Sequence, residues 1–91
     1  MEAEALNNSI AEANPWALFA DGYESALIGK KKVGGVWVAE YDTDKCIQIL
    51  QDRDGMEYLD AVDFFYFNVE NAFLGKNTPV FFARGYEEED G

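Results

Sequence analysis

Imidazole is missing from this chain: none of its 91 residues is histidine. That removes the commonest general base and the commonest transition-metal ligand at neutral pH. A Ser–His or Cys–His nucleophile cannot be assembled within one copy. The one cysteine, Cys46, is followed by Ile47, Ile49 and Leu50 at helical spacing. This places its thiol on an apolar face and predicts an inert core residue.

Carboxylates are plentiful, but their spacing singles out no reaction. Asp60 and Asp63 lie one turn apart on an expected helix, the separation that acid–base partners need, and a solvated polar face gives the same pattern. The runs Asp42-Thr43-Asp44 and Asp52-Arg53-Asp54-Gly55-Met56-Glu57 invite a calcium loop. With Gly55 at the sixth position, however, oxygen ligands would be required at Leu50 and Ala61. Helix capping and a helix–helix turn account for the same residues. Gly29-Lys30-Lys31 and Gly34-Gly35 lack the spacing of a phosphate loop. No catalytic, metal-ligating or cofactor-binding residue is expected, and the chain reads as a non-enzyme.

Eighteen acids against seven bases give a net charge of −11. Glu2, Glu4 and Glu12 in residues 1–14, and Glu87, Glu88, Glu89 and Asp90 in the tail, account for seven of those charges and leave −4 for residues 15–86. A pI near 4.1 opposes direct contact with nucleic acid or an anionic membrane. A lone cysteine excludes an intrachain disulfide. Met1-Glu2-Ala3-Glu4-Ala5 carries neither the basic region nor the apolar run of a secretory leader. No stretch approaches the roughly 20 apolar residues of a membrane span. A cytoplasmic protein is expected.

The elements that would position these residues follow from periodicity and turn chemistry. Residues 1–14 read as a frayed helix or a disordered segment, 15–86 as one domain, and 87–91 as an acidic tail. Trp16, Leu18 and Phe19 are expected to be the first residues anchored in the core. Strands are predicted over 25–31 and 36–41, joined through Gly34-Gly35. Both faces of Val36-Trp37-Val38-Ala39-Glu40-Tyr41 are largely apolar, which suggests a central strand or one covered on both sides. Asp42 or Asp44 caps a helix to about Arg53, and Gly55 stops it. A second helix runs from Met56 or Glu57 to Leu74, with Leu59, Val62, Tyr66, Val69 and Phe73 as its core stripe, widened by Tyr58, Phe65 and Ala72. Thr78 to Arg84, opening with Pro79, forms a closing strand. The expected fold class is α+β: a small three-stranded antiparallel sheet with a helical hairpin on one face, in the order ββααβ.

Phe64-Phe65-Tyr66-Phe67 cannot all face one core, because successive helical residues turn by about 100°. Phe65 and Tyr66 reach the stripe, whereas Phe64 and Phe67 fall on the opposite flank beside Asp60 and Asn71. That flank is either covered by the segment with Trp16 and Phe19, or it is an interface. Asn68 is expected to tether a loop by hydrogen bonds. Lys30, Lys31 and Lys32 read as a solvated hairpin tip, and an acidic partner surface is a second use for them.

The segments Asp21-Gly22-Tyr23, Ala26-Leu27-Ile28-Gly29, Val38-Ala39-Glu40-Tyr41-Asp42 and Asp44-Lys45-Cys46 are familiar in combination. So are Arg53-Asp54-Gly55-Met56, Phe67-Asn68-Val69-Glu70-Asn71-Ala72 and Gly75-Lys76-Asn77-Thr78-Pro79-Val80. Over residues 21–82 the chain resembles a family of small acidic bacteriophage and prophage proteins with no established activity. Members often have a tighter loop where this chain has Lys30-Lys31-Lys32. The resemblance implies a phage or prophage origin, a fold and a host-cell location, and transfers no site residue.

The expected function is that of an interaction protein that binds and inhibits or modulates a host or phage protein, with anti-defence activity such as anti-CRISPR as one subclass. Its contact residues would be Phe64, Phe67, Lys30, Lys31, Lys32, Glu87, Glu88, Glu89 and Asp90, with a homodimer through the Phe64/Phe67 flank as one outcome. Three other classes stand beside it: a DNA mimic that blocks a nucleic-acid-binding protein, a small-ligand protein or enzyme using Asp and Glu, and a structural or assembly component.

Overall fold

Asp42 ends one element and starts the next. It is the last residue of β2 (Val36–Asp42), and its carboxylate accepts the Lys45 N–H at 3.2 Å, capping α2 (Thr43–Asp54). Gly55, at φ 70°, ends α2 in the left-handed conformation that glycine adopts without steric cost. The computed structural model describes residues 2–73 and 75–83, with the backbone alone for Glu2 and Ala3. Around the β2–α2 junction lie α1 (Glu2–Ala13), β1 (Leu27–Val33), α3 (Tyr58–Phe64) and β3 (Val80–Phe82). One wide π-helical turn (Phe65–Val69) and a short 3-10 turn (Glu70–Ala72) continue from α3.

The strand order is β1-β2-β3, so β2 is central, as its two apolar faces suggest. β1 and β2 form an antiparallel hairpin closed by Gly34 and Gly35, both at positive φ, as a two-residue turn requires. Lys30, Lys31 and Lys32 therefore lie within β1, opposite Ala39, Val38 and Trp37, and not at the hairpin tip.

β3 runs parallel to β2, so the sheet is mixed and not antiparallel throughout. A hairpin of two full-length helices would return the chain to the end of β2 from which it left. Here α3 has seven residues, and the segment after it is carried back to the start of β2. Asn14 Nδ2 donates to both the Trp37 carbonyl (2.8 Å) and Asn77 Oδ1 (3.0 Å), and the Leu18 N–H donates to the Asn77 carbonyl (3.1 Å). Entering from that end, the chain can pair with Glu40–Asp42 only in the parallel sense.

One face of the sheet carries the core. Ala39 and Tyr41 are buried with Ile10 of α1, Cys46, Ile47 and Leu50 of α2, Ala61 of α3, and Phe65 and Val69. Ile10 is fully buried and Leu6 packs one turn before it, so α1 is held by a stripe one residue wide. Burial of a side chain of this size contributes about 1.5–3 kcal/mol.

Two expected sets of core contacts are only partly met. Trp16 is 74% exposed and Leu18 is exposed as well, while Phe19 packs against the core as expected and Ala20 and Tyr23 complete the anchoring of that connection. Of the expected stripe, Val62, Phe65, Val69 and Phe73 pack in or against the core, joined by Ala61, whereas Tyr58, Leu59 and Ala72 are exposed and Tyr66 leans edge-on to Phe65 at the rim. With aromatics on every side of this helix, periodicity alone does not choose a face. The face that wins combines a small residue for close approach with Phe65, which packs edge-on against Phe81 at 5.1 Å.

Tyr41 stacks on Phe81 at 5.5 Å, and its buried hydroxyl accepts the Ala20 N–H at 2.9 Å. Tyr41→Phe keeps the ring and strands that N–H, so it should lower unfolding free energy by about 1–3 kcal/mol in urea titration, with the slope unchanged.

Candidate functional site

The outer side of α3 and its π turn is the largest concentration of exposed apolar side chains among the described residues. Leu59 (73%) and Phe67 (74%) are the most open, joined by Tyr58, Phe64 and Tyr66. Leu59 and Asp63, four residues apart, share one side of α3. Glu57, Asp60, Asp63 and Glu70 are all exposed there, and no basic residue occurs between Arg53 and Lys76. The surface is thus aromatic and mainly acidic, with Lys31 of β1 reaching its Tyr66–Glu70 edge. Of the expected contact residues, Phe64 and Phe67 both belong to it. Trp16 lies elsewhere and gives Phe67 no cover.

The lysines are split by the alternation of the strand. Lys30 and Lys32 sit over the Trp37 ring at 5.4 and 5.7 Å from its centroid, and the Lys30 ammonium donates to Ser9 Oγ on α1 at 2.9 Å. Lys31 faces the other way. It lines a hollow of about 480 Å³ with Glu40, Tyr66, Glu70, Val80 and Phe82. The structure therefore does not bring the three together as one basic patch. Glu87, Glu88, Glu89 and Asp90 lie outside the described residues.

Sequence reasoning missed a second hollow of about 540 Å³ between Trp16 and Trp37, closed by Asn14, Asn77 and Lys76. Its organiser is Asn14, a buried side chain that also accepts the Trp16 N–H on Oδ1 at 3.1 Å. Asn14 was legible only as the residue before Pro15. The signal that could have found it is a polar residue of high hydrogen-bonding capacity beside two tryptophans that lack an assigned place. Asn68, expected as the tether, is exposed.

Leu50 and Ala61, the positions a calcium loop would need as ligands, are core residues without exposed surface. Asp60 and Asp63 are both exposed. Among the described residues, no group of three or more Cys, Asp or Glu side chains is placed to hold a metal ion, and no helix is long and apolar enough to cross a membrane. No family model, curated protein or solved structure matches the chain.

Cys46 has no exposed surface. Burial, reinforced by the nearby Asp42 charge, pushes its thiol up to about 12, far from nucleophilic at neutral pH. Burial also raises Tyr41 against the opposing Ala20 N–H, and raises Tyr23 against the opposing Arg53 guanidinium. All three groups hold their protons more tightly when folded. Their stabilisation is complete below the unfolded-state values and is lost as pH rises toward the folded ones. Urea midpoints should therefore hold steady near neutrality and fall from about pH 8.5 upward, where an unfolded thiol begins to ionise. Cys46→Ala should flatten the early part of that fall, and a bulky thiol reagent at pH 8 should label only the unfolded wild type.

Proposed function

We propose that this chain is a non-enzymatic interaction protein that docks on another protein through the outer side of α3 and inhibits or modulates it. The observation that carries the reading is the exposure of Leu59 and Phe67, about three-quarters each, on a helix whose inner side is already satisfied by Ala61 and Phe65. Large apolar side chains grouped in this way are characteristic of contact surfaces. The absence of histidine and the deep burial of the only thiol leave few groups for catalysis.

The chemistry of the surface describes its partner. Four acids interleaved with aromatics fit an apolar cleft rimmed by lysine or arginine. A second copy is a poorer fit, because pairing α3 with itself would oppose Asp60 and Asp63 to their own counterparts in a chain of net charge −11. The resemblance to phage proteins adds a host or phage protein as the target, with a defence system as one subclass. Glu57, just before α3, and Asp60 and Asp63 within it recur every three residues in a stretch without a basic residue, and this regularity favours nucleic-acid mimicry as the second reading.

Pull-down from host lysate discriminates these. Wild-type protein should retain one basic protein in about equimolar amount. Leu59→Ser with Phe67→Ser should lose it, while Tm stays within about 3 °C because both positions are exposed. Mimicry instead predicts that Asp60→Asn with Asp63→Asn is the damaging pair and the serine pair is tolerated. Retention by both double variants would end both readings.

A further inference from the structure

We propose that the groove between Trp16 and Trp37 is a second binding site, for an acidic peptide segment of a partner protein that carries an apolar side chain beside a carboxylate. The site shares no residue with the α3 surface and stands on separate observations.

The first is preorganisation. Trp16 leaves 74% of its surface exposed, yet its backbone is fixed through its N–H bond to Asn14 Oδ1. The same buried Asn14 side chain bonds the Trp37 carbonyl and Asn77 Oδ1, and the Leu18 N–H holds the Asn77 carbonyl. The backbone segments that carry the two indoles, and the Asn77 wall, are thus joined through one amide before any ligand arrives. Little backbone ordering entropy remains to be lost on binding, and the Trp16 side chain is what a ligand would still have to order.

The second is chemistry. Asn14, Trp16, Trp37, Lys76 and Asn77 line the groove, together with three small or aliphatic residues. None is acidic, in a chain with 18 acids. Asn77 Oδ1 is engaged by Asn14, so Asn77 presents its amide N–H₂. The two indole N–H groups and the Lys76 ammonium are likewise donors. Lys30 and Lys32, over the Trp37 ring, add positive charge beside the groove. A donor-rich, cationic, aromatic hollow complements a ligand with an apolar body and anionic acceptors. The volume of about 540 Å³ suits one or two side chains. A polynucleotide would meet the same indoles but would be repelled by the net charge of −11, whereas a short segment with one or two carboxylates is repelled far less.

Trp16 and Trp37 are the only tryptophans, so selectively excited tryptophan emission reports on this groove alone. The probes are a capped Asp-Phe-Glu peptide, its neutral Asn-Phe-Gln counterpart, and adenosine monophosphate. The acidic peptide should give a saturable emission change with a Kd about tenfold lower than the neutral one, the size expected for a charge-assisted hydrogen bond. Lys76→Glu should weaken it at least about tenfold. Trp16→Ala should abolish binding with Tm unchanged, and Leu59→Ser with Phe67→Ser should bind like wild type. Equal affinity for the neutral peptide, tighter binding of adenosine monophosphate, or no emission change at about 10 mM acidic peptide would each overturn the proposal. So would an emission change that follows protein concentration and a doubled mass, since the occupant would then be a second copy.

Discussion

The fold is organised around the side chain of Tyr41. It projects from the central strand and stacks on Phe81 of β3, which in turn packs edge-on against Phe65 after α3. Its hydroxyl holds the connection between α1 and β1 through the Ala20 N–H. One residue thus joins segments from four parts of the chain. In a domain of 91 residues, where the buried fraction of the surface is small, few other contacts of that reach are available. The hydroxyl also has to be satisfied, because an unpaired polar group at that depth would offset much of what the ring contributes.

A second polar joint, at Asn14, does for the opposite end of the sheet what Tyr41 does for the centre. By bonding Trp37 and Asn77 together it brings the chain back beside the start of β2 and so gives β3 its parallel direction. The same joint creates the groove with exposed Trp16. Topology and candidate site here have one cause. The acidic aromatic side of α3 arises differently. Its inner side is set by Ala61, Phe65 and Val69, with Val62 and Phe73 packed beside them, and Leu59 and Phe67 are left about three-quarters exposed on the other side.

The two surfaces carry opposite local charge. Glu57, Asp60, Asp63 and Glu70 surround the aromatics of α3, whereas Lys30, Lys32 and Lys76 surround the tryptophans. Net charge therefore describes long-range behaviour, which disfavours polyanions and self-association, while local charge describes what each surface can hold. A chain of this sign can present a donor-rich, cationic groove only where the fold collects its few bases.

The α+β class, the Gly34-Gly35 hairpin, a cap at Asp42 or Asp44, the Gly55 stop and the burial of Cys46 were all legible in the residues, because each depends on local backbone geometry or on short-range periodicity. So was the separation of Phe64 and Phe67 from the side that carries Phe65, since four consecutive aromatics cannot share one side of a helix, although whether another segment covers them was not. The direction of β3, the face of α3 that turns inward, the exposure of Trp16 and the division of the lysines between two sides of β1 were decided only by tertiary structure. Each depends on a contact between residues far apart in the chain, Asn14 with Asn77 and Phe65 with Phe81 above all, and no local pattern encodes which distant partner a side chain will meet.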